Sequence, residues 1–294
     1  ASRSEQKTFE ADRSIEIVDG KDIQEAQVRS VPEAMEETVG VHLQQTNRGA
    51  GTPFIRGLVG PQNLILVDGV RYNTSTHRTG PNQYLALIDP FALERIEILR
   101  GPSSVLYGSG AMGGVMHLLT IEPQVGREDL DVKGRAQAKF SSADRSTGFA
   151  LQVAPTVADE ALMVGAHFDR FGPLWAGGGY KQPHTDYTAG YWQTKFMHAA
   201  GDRWKLTGTY LGAVLRNTGR TDAAGVGDLR FYDNDDHLAY LTFDYKGTGI
   251  LRVIKVTVSY HRLDERVRRF NCEKASDGTV LDLAACLALE GGQL

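Results

Sequence analysis

The stretch that decides the fold of this chain is ERIEILRGPSSVLYGSGAMGGVMHLLT, residues 94–120. It opens as a strand-forming run, passes through a glycine-rich segment and ends in a second run that favours a strand. Gly108, Gly110 and Gly113 spell GxGxxG, but a dinucleotide-binding turn needs a helix after these glycines. The run from Gly114 to Leu119 favours a strand instead, so the glycines indicate tight turns and close backbone packing.

A second informative stretch lies upstream, PFIRGLVGPQNLILVDGVRYN at residues 53–73. Its apolar run at residues 64–67 predicts a buried strand, and Asp68-Gly69 predicts a tight turn into a partner strand. Nearer the start, residues 14–23 predict a strand followed by a helix. Ser30 with Glu33 three residues later predicts a capping box and a helix that ends at Gly40. These signals together favour a mixed α+β domain over residues 1–125.

In this order, the elements IRG, LVDGVR and ERIE-LRGP-LYGSGAMGGV resemble the plug domain of TonB-dependent outer-membrane transporters. The resemblance implies an α+β plug domain (residues 1–125) followed by an antiparallel transmembrane β-barrel (residues 126–294). It implies active import of a scarce nutrient across the outer membrane, driven by the TonB–ExbB–ExbD complex of the inner membrane. It implies no enzymatic activity, no catalytic residues and no resident cofactor.

Composition alone leaves two structural classes open. The chain has 33 glycines among 294 residues and a net charge of −4, which argues against nucleic acid as a partner. It contains no run of the ~18 apolar residues that a spanning helix needs. A soluble, glycine-rich β protein and a β-barrel in contact with outer-membrane lipid both fit these numbers.

Residues 126–294 favour the barrel, because apolar and polar residues alternate there for about 10 residues at a time. Val256, Val258 and Tyr260 alternate with polar neighbours in one such run. The pattern predicts seven strands, at 131–141, 146–155, 160–170, 187–199, 203–215, 236–246 and 250–263. Short links alternate with long ones at 171–186, 216–235 and 264–294, and Trp204 and Tyr245 lie beside short links, where interfacial aromatics are expected.

Seven strands do not close a single-chain bacterial barrel, which has an even number of strands. The related transporters have about 22 strands. We therefore expect this sequence to be the N-terminal part of a longer polypeptide.

The resemblance places ligand binding at two plug apices, residues 46–52 and 71–84. Cations and hydrogen-bond donors there favour an anionic or oxygen-rich ligand such as a ferric siderophore. His77 offers an alternative as an axial ligand of haem iron, although a lone loop histidine is more often simply solvated. The predicted binding residues are Arg48, Arg71, Tyr72, Asn73, His77, Arg78, Asn82, Gln83 and Tyr84.

Two arginines are predicted to hold the plug in the barrel. The resemblance places Arg56 and Arg100 where plug arginines pair with carboxylates of the inner barrel wall, and a guanidinium can hold a carboxylate through two hydrogen bonds. The alternative is that both arginines end strands at a solvated face.

The only cysteines, Cys272 and Cys286, lie in one polar segment. A pair that closes a short loop predicts a disulfide and an oxidising compartment, with two free thiols as the alternative. The acidic residues Asp228, Asp233, Asp235 and Asp236 raise the question of a Ca²⁺ site. Their spacing fits no EF-hand and favours a solvated external loop, so no metal site is predicted.

The reading that best fits the sequence is therefore TonB-dependent import of a ferric siderophore in the outer membrane. A haem or cobalamin receptor of the same family is the nearest alternative. A non-transporting receptor or adhesin, and a soluble β-rich binding module, remain open as readings from other classes.

Overall fold

Two β-sheets organise the molecule. The computed structural model describes residues 14–47, 49–75, 77–78, 80, 82–220, 228–248 and 252–271. Residues 14–120, which we call the plug, contain a mixed five-stranded sheet, and residues 127–271 contain an antiparallel seven-stranded sheet, which we call the wall. Arg48, Cys272 and Cys286 lie outside the described residues. In the described ranges no helix is long and apolar enough to cross a membrane.

The plug sheet brings the two informative stretches side by side, with its strands in the order 15–19, 93–100, 114–120, 63–67 and 70–71. The strand at residues 63–67 runs parallel to the one at residues 114–120, which in turn pairs antiparallel with residues 93–100. The strands of the plug are β1 (Ile15–Asp19), β2 (Val41–Asn47), β3 (Ala50–Ile55), β4 (Asn63–Val67), β5 (Val70–Arg71), β6 (Leu93–Arg100) and β7 (Gly114–Thr120). Its helices are α1 (Gly20–Glu25), α2 (Val31–Ala34) and α3 (Ser104–Tyr107).

The glycine-rich segment before β7 turns as the sequence predicts. Gly108 and Gly110 have φ angles of 81° and 89°, a conformation that glycine adopts without a steric penalty. A Cβ atom added at Gly113 would lie 2.3 Å from Oδ1 of Asn63. A strand, not a helix, follows these glycines, so the segment is a packing turn.

The prediction of a helix from Ser30 to Gly40 is wrong, because α2 ends at Ala34. Its capping box does not form either, since Ser30 makes no side-chain cap hydrogen bond. The Glu33 carboxylate turns instead to Arg29, accepting from the backbone nitrogen at 2.6 Å and from Nε at 3.0 Å. Gly40, with φ 77°, then directs the chain into β2.

The wall is a meander in which each strand pairs with the next along the chain. On β10, the side chains of Met163 and His167 are buried while Leu162, Val164 and Phe168 face outward. This is the predicted alternation, with apolar residues outside and a mixed inner face against the plug. The wall strands are β8 (Arg127–Ser141), β9 (Ser146–Ala158), β10 (Glu160–Phe171), β13 (Tyr187–Ala200), β14 (Trp204–Arg220), β15 (Asp228–Lys246) and β16 (Val253–Asn271), with β11 (Trp175–Ala176) and β12 (Tyr180–Lys181) in a connection.

The connections define two ends of the wall. Among the described residues, the upper end carries the connections at 142–145 and 172–186, and the lower end carries the short links at 159 and 201–203. Trp204 and Tyr245 meet at the lower end, with ring centroids 4.2 Å apart. This is where the sequence predicts interfacial aromatic residues.

The predicted loop at 216–235 is largely strand. β14 continues to Arg220, and β15 begins at Asp228. Cross-strand ion pairs explain the extra length, because opposite charges on neighbouring strands stabilise a sheet. Asp235 lies 2.5 Å from Arg216 and Asp233 lies 3.4 Å from Arg268. The acidic residues therefore belong to a strand and not to a solvated loop.

The close approach at Gly114 gives the first prediction. A Cβ atom there would lie 2.5 Å from the carbonyl oxygen of Leu99 on β6. We expect Gly114→Ala to destabilise the plug by about 1–3 kcal/mol through overpacking. The urea midpoint of plug unfolding measures this, with Gly177→Ala as the control because its added Cβ meets nothing within 4 Å. Equal midpoints for the two variants would contradict the packing described.

Candidate ligand site between the plug and the wall

The plug is held against the wall by a buried ion pair at the Asp68-Gly69 turn. Asp68 lies 3.2 Å from Nζ of Lys195 on β13, and the two side chains are 16% and 2% exposed. The same carboxylate accepts hydrogen bonds from the nitrogen and hydroxyl of Thr120, at 2.8 and 2.5 Å, and from the Tyr240 hydroxyl. Burial alone would raise the pKa of Asp68, but Lys195 and these hydrogen bonds hold it below its usual value. The turn is therefore an anionic anchor.

A second plug carboxylate, Asp89, meets the wall at β10. Its Oδ1 atom lies 2.7 Å from Nδ1 of His167, whose Nε2 atom lies 3.0 Å from Asp169. Only the contact between Nδ1 and Asp89 has hydrogen-bond geometry, and Nε2 has no hydrogen-bond partner among the described residues. Lys139 extends the chain, 3.3 Å from Asp169. In both anchors the plug supplies the carboxylate and the wall supplies its nitrogen partner, Lys195 in one and His167 in the other.

The two arginines predicted to hold the plug make contacts inside it. Arg100 donates to the carbonyl of Val39 and to the Ser14 hydroxyl, and it lies 3.5 Å from Glu16. Arg56 is exposed and lies beside Gly101, where an added Cβ would come within 3.0 Å of its guanidinium. Their pairing with barrel carboxylates stays a prediction.

An open cavity of about 590 Å³ lies at the upper end, between both plug apices and the wall. Its cationic residues are Arg78 from the second apex, Arg220 from β14 and Arg230 from β15. It is completed by Thr46, Asn47, His77, Gly80, Gln83 and Tyr232. Three guanidinium groups around one space form a site suited to an anion.

Arg220 and Arg230 face each other directly across the β14–β15 pair. Like charges in this position destabilise a sheet unless an anion compensates them. Asp228 supplies part of that compensation, 2.5 Å from Arg230 and 2.9 Å from Arg269. The three guanidinium groups nevertheless give the cavity a cationic lining, which suits an anionic ligand.

The second apex is attached to the wall through polar contacts. The Tyr72 hydroxyl donates to Asp236 at 3.0 Å, and Asp236 also lies 2.7 Å from Nε2 of His261. The rings of Tyr72 and His261 stack with centroids 4.7 Å apart. Tyr72 is therefore an anchoring residue in this structure, buried beneath the cavity.

His77 lines the cavity and has a buried ring nitrogen, Nε2, without a hydrogen-bond partner among the described residues. The side chain is buried and stacks on Tyr84 at 4.2 Å. Burial, and secondarily the nearby His261, lower its pKa to about 4. His77 is therefore a neutral imidazole at neutral pH, with an available nitrogen at the cavity.

The predicted binding residues separate into distinct groups. His77, Arg78 and Gln83 line the cavity, and Tyr84 supports Arg78 through its hydroxyl at 3.2 Å. Arg71, Tyr72, Asn73 and Asn82 lie apart from the cavity lining, and Arg48 is outside the described residues. Asn73 holds β4 through the nitrogen of Ile65, Asn82 bonds the first apex at Thr52, and Arg71 donates to the carbonyl of Ser109.

Sequence reasoning missed Arg220 and Arg230 because it treated residues 216–235 as a loop. A β-bulge shifts the register between Leu215 and Thr218, where Asn217 has φ 62°. The bulge changes which residues of β14 face inward, so that Arg220 joins the cavity. Arg230 follows ordinary alternation with Asn234 and Asp236, and recognising β15 as a longer strand would have located it.

Comparisons with known proteins agree with this geometry. The family profile described as TonB-dependent Receptor Plug Domain matches residues 7–115. The chain is 37% identical over 123 residues to the vitamin B12 transporter BtuB of Vibrio vulnificus, covering 41% of this chain and 20% of that protein. It is 38% identical over 119 residues to the iron-regulated outer membrane virulence protein of Vibrio cholerae, covering 39% and 18%. A hemin receptor of Yersinia pestis is 31% identical over 123 residues, covering 42% and 18%.

Solved structures extend the likeness beyond the plug. The copper transporter OprC matches with a TM-score of 0.73 at 17% identity, over 85% of this chain and 37% of that chain. The hemophore receptor HasR of Serratia marcescens matches with a TM-score of 0.73 at 16% identity, over 89% and 39%. At these identities the likeness concerns the fold.

Fold and site together define a plug domain lying against part of an antiparallel outer-membrane barrel. Residues 7–115 match the plug domain of TonB-dependent receptors, and the relatives that the chain resembles are transporters and receptors, one of them named as an outer-membrane protein. The chain spans about a fifth of the length of the curated relatives that it matches.

The anchor at Asp68 gives the second prediction. Lys195→Met leaves a largely buried carboxylate without its cation, which we expect to lower the free energy of plug unfolding by about 3–5 kcal/mol. Lys205→Met is the matched control, because Lys205 pairs with the plug-side Glu122 at 3.3 Å but both side chains are well exposed. Its expected cost is about 0–1 kcal/mol. Urea unfolding of the full-length receptor, followed by a spin label in the plug, distinguishes the two, and equal costs would contradict the anchor.

Proposed function

We propose that this protein takes part in TonB-dependent import of an anionic iron chelate, a ferric siderophore, across the outer membrane. The observation that carries the proposal is the cavity of about 590 Å³ lined by Arg78, Arg220 and Arg230. Siderophore complexes whose donors are catecholate or carboxylate oxygens present negative charge that guanidinium groups bind well. The likeness to BtuB and to an iron-regulated outer membrane protein supports nutrient import more broadly.

The proposed path begins at the upper end of the wall. The ligand enters the cavity between the two apices and the strands β14 and β15, above the buried anchors at Asp68 and Asp89. Energy for plug rearrangement comes from the TonB–ExbB–ExbD complex, which is the proposed inner-membrane partner. The proposed domain boundary lies near residue 125, where the plug sheet has ended and β8 begins.

Three further assignments belong to this proposal. Arg56 and Arg100 stay candidates for pairing with barrel carboxylates, and Arg48 stays a candidate for ligand binding at the first apex. The disulfide between Cys272 and Cys286 is proposed to tie an external loop, consistent with an oxidising location.

The arginine pair on the wall gives the direct test. We expect Arg220→Gln and Arg230→Gln each to weaken binding of the trianionic iron(III) tris-catecholate complex to the full-length receptor by roughly tenfold or more, since a charge-assisted contact is worth about 1.5–3 kcal/mol. Arg262→Gln is the control, because that arginine is exposed and pairs with Asp264 away from the cavity. Titration by fluorescence quenching measures the dissociation constants. Unchanged affinity in both variants would contradict the assignment of this cavity as the binding site for an anionic iron chelate.

Haem is the second candidate ligand, and one observation favours it. The neutral His77 imidazole has an unpartnered, buried Nε2 atom beside the cavity, and a neutral imidazole is a common axial ligand of haem iron. On this alternative, added haemin gives the wild-type receptor a shifted Soret band that His77→Ala lacks. If haemin produces the same spectrum in both proteins, His77 is not a ligand and the siderophore assignment stands alone.

A further inference from the structure

One carboxylate of the wall, that of Glu265, contacts the second apex of the plug at the edge of the cavity. Its Oε2 atom accepts from Nε2 of Gln83 at 2.6 Å, from Nη2 of Arg78 at 3.1 Å and from Nδ2 of Asn234 at 3.2 Å. One guanidinium and two amide groups thus converge on one anionic oxygen. This is the set of donors that a bound anionic ligand would require.

Arg78 is shared between Glu265 and the cavity. Its side chain is 37% exposed and lines the cavity, with the guanidinium carbon 4.7 Å from the ring centre of Tyr232. Nε donates to the Tyr84 hydroxyl and Nη2 to Gln83 and Glu265. An anion entering from the upper end therefore approaches the same guanidinium that Glu265 holds from the wall.

The Arg78–Glu265 contact is easier to break than the buried Asp68–Lys195 pair below it, because it is more exposed to solvent. The Arg78–Glu265 pair has side-chain exposures of 37% and 21%, compared with 2% for Lys195. A partly solvated pair contributes little net free energy, so a multiply charged ligand can compete for it. When the ligand takes Arg78 from Glu265, the carboxylate is left beside a bound anion and repels it. Glu265 therefore lowers the affinity of the cavity for an anionic ligand.

We propose that Glu265 is a specificity-determining residue that competes with the anionic ligand for Arg78 and Gln83. This inference rests on the proposed function, since it concerns the same cavity. A ligand with enough negative charge displaces Glu265 from these donors and frees Arg78 and Gln83 from β16, while Tyr72 keeps its contacts with Asp236 and His261. A neutral ligand cannot make this exchange, so the carboxylate selects for anions while holding the apex closed in their absence.

The test compares two neighbouring carboxylates on β16. Glu265→Gln keeps the side-chain shape but removes the competing charge from the inner face. Asp264→Asn removes one charge from the outer face of the same strand, where the side chain is 53% exposed and pairs with Arg262. We expect E265Q to bind the iron(III) tris-catecholate complex about threefold to tenfold more tightly than wild type, equivalent to about 0.7–1.4 kcal/mol, and D264N to bind as wild type.

A second readout follows the apex itself. Without ligand, amide hydrogen exchange across residues 71–84 is expected to be faster in E265Q than in wild type and unchanged in D264N. Addition of the probe is expected to remove the difference. If wild type binds the probe but E265Q binds it equally or more weakly, the inference fails and the proposed function stands. If wild type does not bind the probe at all, the anionic assignment fails and the inference fails with it.

Discussion

The structure depends on the ion pair between Asp68 of the plug and Lys195 of the wall. Moving two charges out of water costs several kcal/mol for each ion, and the cost is recovered only when geometry and hydrogen bonding are good. Here the carboxylate receives donors from Lys195, Thr120 and Tyr240. Lys195 and Tyr240 come from β13 and β15 of the wall, whereas Thr120 belongs to β7 of the plug itself, so the pair fixes the plug sheet in one position relative to two wall strands.

This position brings the two apices to the upper end of β14 and β15. The contacts made by Lys195 and Asp236 are largely buried, whereas the contact between Arg78 and Glu265 at the apex is partly exposed. The buried Asp68–Lys195 pair holds the body of the plug, and the partly exposed Arg78–Glu265 pair holds the edge of the second apex. A receptor built in this way can respond to ligand at its apex without releasing the plug, so that full rearrangement requires an external source of energy.

Much of the fold follows from the sequence because period-2 alternation directly reports which face of a strand meets lipid. The runs around Phe168 and Val258 show it, and Asp68-Gly69 makes the turn that the sequence predicts. The capping box at Ser30 failed because Arg29 offered Glu33 stronger, charged donors than a backbone nitrogen alone. Local patterns cannot weigh such a competition.

The site was less predictable than the fold. His77, Arg78 and Gln83 were found because the apex is polar and lies between recognisable strands. Arg220 was missed because its side chain faces the cavity only as a result of the bulge at Asn217, and no local residue pattern predicts that bulge. Lys195 and His167 were missed because an inward charge on a strand has no visible partner until the plug carboxylates Asp68 and Asp89 are placed opposite.

The most direct test of this account is the structure of the full-length receptor, purified from outer membranes and saturated with iron(III) tris-catecholate. The account predicts ligand density between the guanidinium groups of Arg78, Arg220 and Arg230, with the Asp68–Lys195 contact intact below it. Ligand bound against a different part of the barrel, with these three arginines contacting only protein, would contradict it.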